Sequence, residues 1–200
     1  RLLGRLAGKT VLDLCAAPGG KTLQLCAAGA HVTAVDNSAQ RLERLRDNLK
    51  RTRFEAEVVV ADALTFDRAG FDAVLLDAPC SSTGTIRRHP DLPYLKTAAQ
   101  IGDLVSIQSR MLNQAAKLVR PGGMLIYCVC SLEAAEGEKQ IAPFLARHPD
   151  FSVVPISAGD CGIEAHMLTG PGFLRTLPHM AIGGSRGLDG FFAARLKRPF

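Results

Sequence analysis

Apolar residues fall in short runs separated by stretches where they recur every three or four positions, and the two patterns take turns along the chain. "TVLDLC" (10–15) predicts a strand, Gly20–Ala28 a helix and "HVTAVD" (31–36) a second strand. Ser38 is placed to cap a helix whose Leu42, Leu45 and Leu49 share a face. "EAEVVVAD" (55–62) and "FDAVLLDAPC" (71–80) read as the third and fourth strands. After a long loop, Ile101, Leu104, Met111, Leu112, Ala115, Leu118 and Val119 recur at helical spacing, so the pattern predicts a helix over 97–119, ended by "RPGG" at 120–123. "MLIYCVCS" (124–131) predicts a fifth strand, 133–147 a helix and "FSVVP" (151–155) a sixth strand. A Gly/Pro-rich stretch (157–187) and a closing strand, "DGFFAARLKR" (189–198), complete the chain. Strands alternating with helices imply an α/β domain, a mostly parallel sheet with helices on both faces, as a single unit over 1–200.

Composition adds limits. Apolar residues make up 47% and charged residues 22% of the 200, ordinary for a globular chain. No apolar run approaches a membrane span and no secretory pattern is present, so a cytoplasmic protein with no membrane association is expected. The net charge of +5 and pI near 9.0 favour an anionic partner, with basic residues clustered at 41–53 and in "IRRH" (86–89). The six cysteines form no C-x-x-C, which speaks against a zinc site, and no protein partner is evident. The sequence starts with Arg1 rather than Met and reaches its first strand within ten residues, the expectation for a fragment.

"VLDLCAAPGGKT" (11–22) joins strand to helix through a proline and two glycines. Such a turn lets backbone approach a ligand, and the helix start offers free N–H groups. Asp13, Asp36, Asp62 and Asp77 lie at the ends of four successive strands, where parallel sheets bind ligands. Asp36 follows the glycines at about the distance of a ribose-binding carboxylate. The turn lacks the G-x-G-x-x-G of a dinucleotide site. A nucleoside cofactor without a phosphate bridge, such as S-adenosylmethionine, fits better than a nicotinamide, and Asp62 is placed to accept from an adenine amino group.

"DAPCSSTG" puts Asp77 and Cys80 at the exit of the fourth strand, and "YCVCSLEAAEGE" puts Cys130 at the exit of the fifth. Neighbouring strand ends bring both thiols to one edge. Carbon 5 of cytosine is a poor nucleophile. A thiolate added across carbon 6 makes an enamine whose carbon 5 attacks an electrophilic methyl. The attacking form is the thiolate, which a cation such as Lys21 would favour.

On these motifs, together with "LDLCAAPGGKT" and "IRRHPD", the chain resembles the catalytic domain of the Sun-type RNA (cytosine-5-)-methyltransferases, most closely the bacterial 16S rRNA branch. The resemblance runs from about Val11 to "DGFFAARLKR". It implies a Rossmann-like class I S-adenosylmethionine-dependent methyltransferase fold with a seven-stranded sheet whose last strand is antiparallel. It also implies a cofactor site of Cys15, Ala16, Ala17, Pro18, Gly19, Gly20, Lys21, Asp36, Asp62 and Asp77. Cys130 is then the nucleophile, Cys80 assists release of the methylated base, and Asp77 and Lys21 contact the cytosine and help move protons. An additional RNA-binding region upstream of Arg1 is expected on the same ground.

The chain departs from the family at Val129, where a threonine usually precedes the nucleophile. A DNA cytosine methyltransferase would use a Pro-Cys thiol, which would promote Cys80. In the loop "SSTGTIRRHPDLPY", Arg87, Arg88 and His89 are expected to meet the RNA backbone beside a splayed-out target base. Small-subunit rRNA is the expected substrate. Alternatives are the same chemistry on tRNA, a catalytically silent RNA-binding module and, more remotely, a nicotinamide oxidoreductase.

Overall fold

The computed structural model describes residues 2–200. Among them, the elements follow as β1 (Thr10–Leu14), α1 (Gly20–Ala27), β2 (His31–Asp36), α2 (Ala39–Thr52), β3 (Glu57–Val60), β4 (Phe71–Asp77), α3 (Leu92–Leu95), α4 (Ala98–Leu118), β5 (Val119–Val129), α5 (Glu138–Arg147), β6 (Ser152–Val153), β7 (Leu174–Thr176), β8 (Ala181–Ile182), β9 (Ser185–Arg186) and β10 (Phe191–Lys197). The main sheet has the order β3-β2-β1-β4-β5-β10-β6. β1 to β5 pair in parallel, and β10 runs antiparallel to β5 and β6. These are the expected seven strands with an antiparallel last one. An eighth, β7, pairs with β10 from within the Gly/Pro-rich stretch, and β8 and β9 form a separate hairpin.

Side-chain alternation sorts the core into two layers. Leu12, Leu14, Val74, Leu76, Leu125 and Tyr127 pack against α4 and α5 through Leu112, Leu118, Ile141 and Phe144. The intervening Val11, Ala73, Leu75 and Ile126 face Leu6 and Leu25 on the other side. Leu42, Leu45 and Leu49 of α2 close that side over Ala34. The Ser38 hydroxyl accepts from the Arg41 N–H, capping α2 as its position predicts. Thr97 and Gln100 form a reciprocal capping box at the start of α4.

The largest departures from the sequence pattern are at two boundaries. "RPGG" does not separate α4 from β5: the helix ends at Leu118, and β5 begins at Val119 and includes those four residues. The β4–β5 register jumps from Phe71↔Val119 to Ala73↔Met124, so 120–123 bulge out of the ladder. A Cβ at Gly123 would stand 2.7 Å from a Val119 methyl and 2.9 Å from the Asp72 carbonyl, so the bulge needs glycine there. Helix α5 begins at Glu138 rather than Glu133, because 133–137 wind in turns that bring Glu136 inward. No helix among the described residues is long and apolar enough to cross a membrane.

Strand order reverses between β1 and β4, since β2 and β3 lie to one side and β4 and β5 to the other. The crevice beyond the carboxyl ends of these strands is where an open α/β sheet takes a ligand.

Candidate active site

At the end of β1 the chain reverses sharply. Cys15 has a left-handed φ of 63°, the Ala17–Pro18 peptide is cis, and Gly19 has φ 105°. A Cβ on Gly19 would also stand 2.9 Å from Leu45 Cγ, so both backbone conformation and packing demand glycine. Ala16 and Ala17 are buried within the turn, whereas Pro18 is exposed. Gly20 differs from its neighbour: no heavy atom lies within 4 Å of the point its Cβ would occupy. That space lies beside the first turn of α1, whose N–H groups have no helical acceptors.

Two of the four strand-end acids, Asp36 and Asp62, line one cavity. Asp36 accepts from the Ala17 N–H (3.1 Å) and the Ser38 N–H (3.0 Å), and its carboxylate lies 3.5 Å from the Arg41 guanidinium. Asp62 accepts from the Leu64 N–H. With Cys15 and Arg41 these two acids line a cavity of about 190 Å³, closed on its apolar side by Ala63, Pro79 and Met111. A lining of two carboxylates together with apolar side chains suits a hydroxylated ribose and a flat base. Burial, followed by Asp36, pushes the Cys15 thiol up to about 12, so this lining cysteine stays protonated.

Asp13 lies beneath the turn, completely buried. One carboxylate oxygen accepts from the Thr22 hydroxyl at 2.6 Å, and the other has no partner among the described residues. Burial raises its pKa to about 7 despite that hydrogen bond. An orphaned buried oxygen and the open space at Gly20 both fit a donor-bearing ligand in the turn.

Residues at the β4 and β5 exits form the second half of the site. Lys21 donates to Asp77 Oδ2 at 2.6 Å, while the buried Cys128 thiol lies 3.5 Å from Asp77 Oδ1. Asp77 and Cys128 are paired across the ladder, which accounts for that contact. Burial alone would lower the Lys21 pKa, but Asp77 beside it outweighs this and keeps the ammonium charged.

The sulfurs of Cys80 and Cys130 are 3.4 Å apart, and the Ser82 hydroxyl is 3.7 Å from Cys130 Sγ. The hydrogen bond with Cys80 draws the Cys130 thiol below its usual range against the opposing effect of burial, and Ser82 and Lys21 also lower it. Cys80 moves the other way, held protonated by its hydrogen bond to Cys130 and by burial. The two sulfurs are thus shifted in opposite directions, Cys130 toward the thiolate and Cys80 toward the thiol.

Lys21, Asp77, Cys80 and Cys130 are thus brought together, and Cys15, Asp36 and Asp62 gather around the adjoining cavity. The basic loop is arranged differently. Arg88 pairs with Asp189 at 2.7 Å and Arg87 donates to the Gly187 carbonyl at 2.5 Å, so both guanidinium groups fasten the loop to the segment before β10. His89 is exposed beside them, and Tyr94 on α3 is 90% exposed. Glu136, Ser81, Ser131 and Arg41 are contributors that the sequence did not single out. A larger cleft of about 610 Å³ opens at the opposite ends of the strands, around Thr10, His31, Glu57 and Arg68. Its Arg68–Glu57 pair is internally satisfied and it holds none of the site residues.

A family model described as 16S rRNA methyltransferase RsmB/F matches residues 2–197. Over 201 aligned residues the chain is 44% identical to the ribosomal RNA small subunit methyltransferase B of Sodalis glossinidius, an alignment covering 98% of this chain and 43% of that protein. The crystal structure of PH0851 is similar at a TM-score of 0.87 with 36% identity, covering 98% of this chain and 44% of that one. That of NSun6 from Pyrococcus horikoshii with SFG is similar at 0.79 with 27% identity, covering 99% and 50%. The chain spans less than half the length of the curated relatives it matches.

Proposed function

The chain belongs to the RsmB/F family of 16S rRNA methyltransferases, and from that premise we propose that it methylates carbon 5 of a cytosine in small-subunit rRNA, with S-adenosyl-L-methionine as donor. The observation that carries this reading is the close sulfur pair of Cys130 and Cys80 beside Lys21 and Asp77, adjoining the cavity of Asp36 and Asp62. The turn from Cys15 to Lys21, with Asp36, Asp62 and Asp77, would hold the cofactor. When bound there, S-adenosyl-L-methionine supplies an electrophilic methyl.

Cys130, whose thiol is shifted toward the thiolate, adds to carbon 6 of the cytosine, forming a C–S bond and making carbon 5 nucleophilic. Once carbon 5 carries its methyl, the proton there must leave and the C–S electron pair must return to sulfur. Asp77, held by Lys21, is the carboxylate at hand for the proton. Cys80 keeps its own proton and donates to the departing Cys130 sulfur, assisting release of the base.

Labelled methyl transfer from S-adenosyl-L-methionine to 16S rRNA lacking the modification, followed by bisulfite sequencing, tests this. Incorporation at one cytosine supports the reading. Incorporation only into tRNA moves the substrate, and none into either RNA leaves an RNA-binding module.

A further inference from the structure

The two cysteine-bearing turns are joined beneath the site by one side chain. Ser81 follows Cys80 beyond β4, Ser131 follows Cys130 beyond β5, and both serines are completely buried. Their hydroxyls donate to Glu136 Oε2, at 2.5 Å each. Glu136 Oε1 accepts from the Ser81 N–H at 2.9 Å and from Gln108 Nε2 at 3.0 Å. Thr83 Oγ1 lies 3.1 Å from the Ser81 hydroxyl and 3.3 Å from that of Ser131, so it bridges the same two turns. The Tyr127 hydroxyl donates to the Glu136 carbonyl at 2.5 Å, tying the backbone of this residue back to β5.

Glu136 is itself completely buried, and no Lys, Arg or His pairs with it among the described residues. Burying a carboxylate without a cation is costly unless hydrogen bonds replace its water. An apolar side chain would fill this space more cheaply. It would not connect the residue after one thiol to the residue after the other.

We infer that Glu136 is a positioning residue that sets the separation of the Cys80 and Cys130 sulfurs by gripping Ser81 and Ser131. The inference rests on the proposed role of these two thiols in attack and release. It also specifies which replacement works. A glutamine can place its oxygen toward the Ser81 N–H and Gln108 while its two amide hydrogens meet the serine hydroxyls, which rotate to accept. Alanine removes the acceptor that four hydrogen bonds share.

The test compares the intact wild-type protein with Glu136→Ala, Glu136→Gln and the double variant Ser81→Ala/Ser131→Ala in two assays. Diamide takes two electrons and two protons from a thiol pair, so the rate of Cys80–Cys130 disulfide formation reports sulfur placement without any need for activity. Adduct formation with 5-fluorocytosine-containing 16S rRNA in the presence of the methyl donor reports attack.

With native circular dichroism retained, Glu136→Ala and the double variant should lose on the order of 10- to 100-fold in both rates, the cost of displacing reacting groups by about 1 Å. Glu136→Gln should restore most of each. Wild-type rates in a folded Glu136→Ala, or in the folded double variant should that protein not fold, would overturn the inference. So would a folded Glu136→Gln as slow as the alanine variant, because charge rather than placement would then be at work. A wild-type protein that oxidises readily but forms no adduct would contradict the proposed reaction instead, leaving the diamide rates to judge Glu136.

Discussion

Cys80 and Cys130, fifty positions apart in the chain, hold their sulfurs 3.4 Å from each other. Two neutral thiols gain little from such proximity. A thiolate beside a thiol gains a charge-assisted hydrogen bond, and the opposite shifts of the two sulfurs favour Cys130 as nucleophile and Cys80 as donor.

That division predicts how the thiols titrate. Alkylation of Cys130 by iodoacetamide, followed by mass spectrometry, should rise with pH around a midpoint below that of an ordinary cysteine, whereas Cys80 should stay slow across the neutral range. In Cys80→Ala the Cys130 midpoint should move up, because the largest influence lowering it has gone. An unchanged midpoint in that variant would assign the thiolate to another cause.

Asp13 makes the stability of the protein without cofactor depend on pH. Its pKa is 3.8 when unperturbed and about 7 in the fold, so between those values the native state holds a proton that the unfolded chain has released. Stability should therefore fall as pH rises through this window. Asp13→Asn removes the titration and should be favoured over wild type by on the order of 1–4 kcal/mol more at pH 8 than at pH 4. Denaturant melts at both pH values read the difference, and an equal offset at the two would contradict it.

Gly84 crosses Gly190 so closely that a Cβ at position 84 would stand 1.9 Å from the Gly190 carbonyl oxygen and 2.9 Å from the Cys130 carbonyl carbon. The Gly84 N–H donates to the Cys130 carbonyl and its carbonyl accepts from the Gly190 N–H. Gly84→Ala should cost roughly 1–3 kcal/mol of stability through overpacking, and methyl transfer should fall because the strain presses on the nucleophile's own backbone. Wild-type stability and activity together would show that the crossing yields easily.

The basic loop tests the RNA contact. If Arg87 and Arg88 exchange their internal partners for phosphates, Arg87→Ala/Arg88→Ala should reduce the slope of log affinity against log salt by about 2, roughly 1 per lost contact. An unchanged slope with a small loss of stability would leave them as fasteners to Gly187 and Asp189 alone.

Much of this was legible in the chain because it lies in local pattern. The strand–turn–helix around Gly19, the acids at successive strand ends and the two exit cysteines follow from periodicity and placement. What stayed hidden depends on tertiary contact. Gly122 and Gly123 look like a helix stop, yet Gly123 is there because Val119 and Asp72 press on the bulge. Glu136 resembles any surface glutamate until Ser81 and Ser131 are seen to donate to it. β7 is only three residues long, too short to show alternation, and exists because β10 offers it an edge. The loop arginines read as free cations because Asp189 lies a hundred positions away.

The most direct test of the central claim is which cysteine becomes covalently linked to 5-fluorocytosine in RNA when the methyl donor is present. Cys80→Ala should still form the adduct, with the linked peptide containing Cys130, while Cys130→Ala should form none. An adduct that persists in Cys130→Ala and disappears in Cys80→Ala would reverse the roles of the two sulfurs.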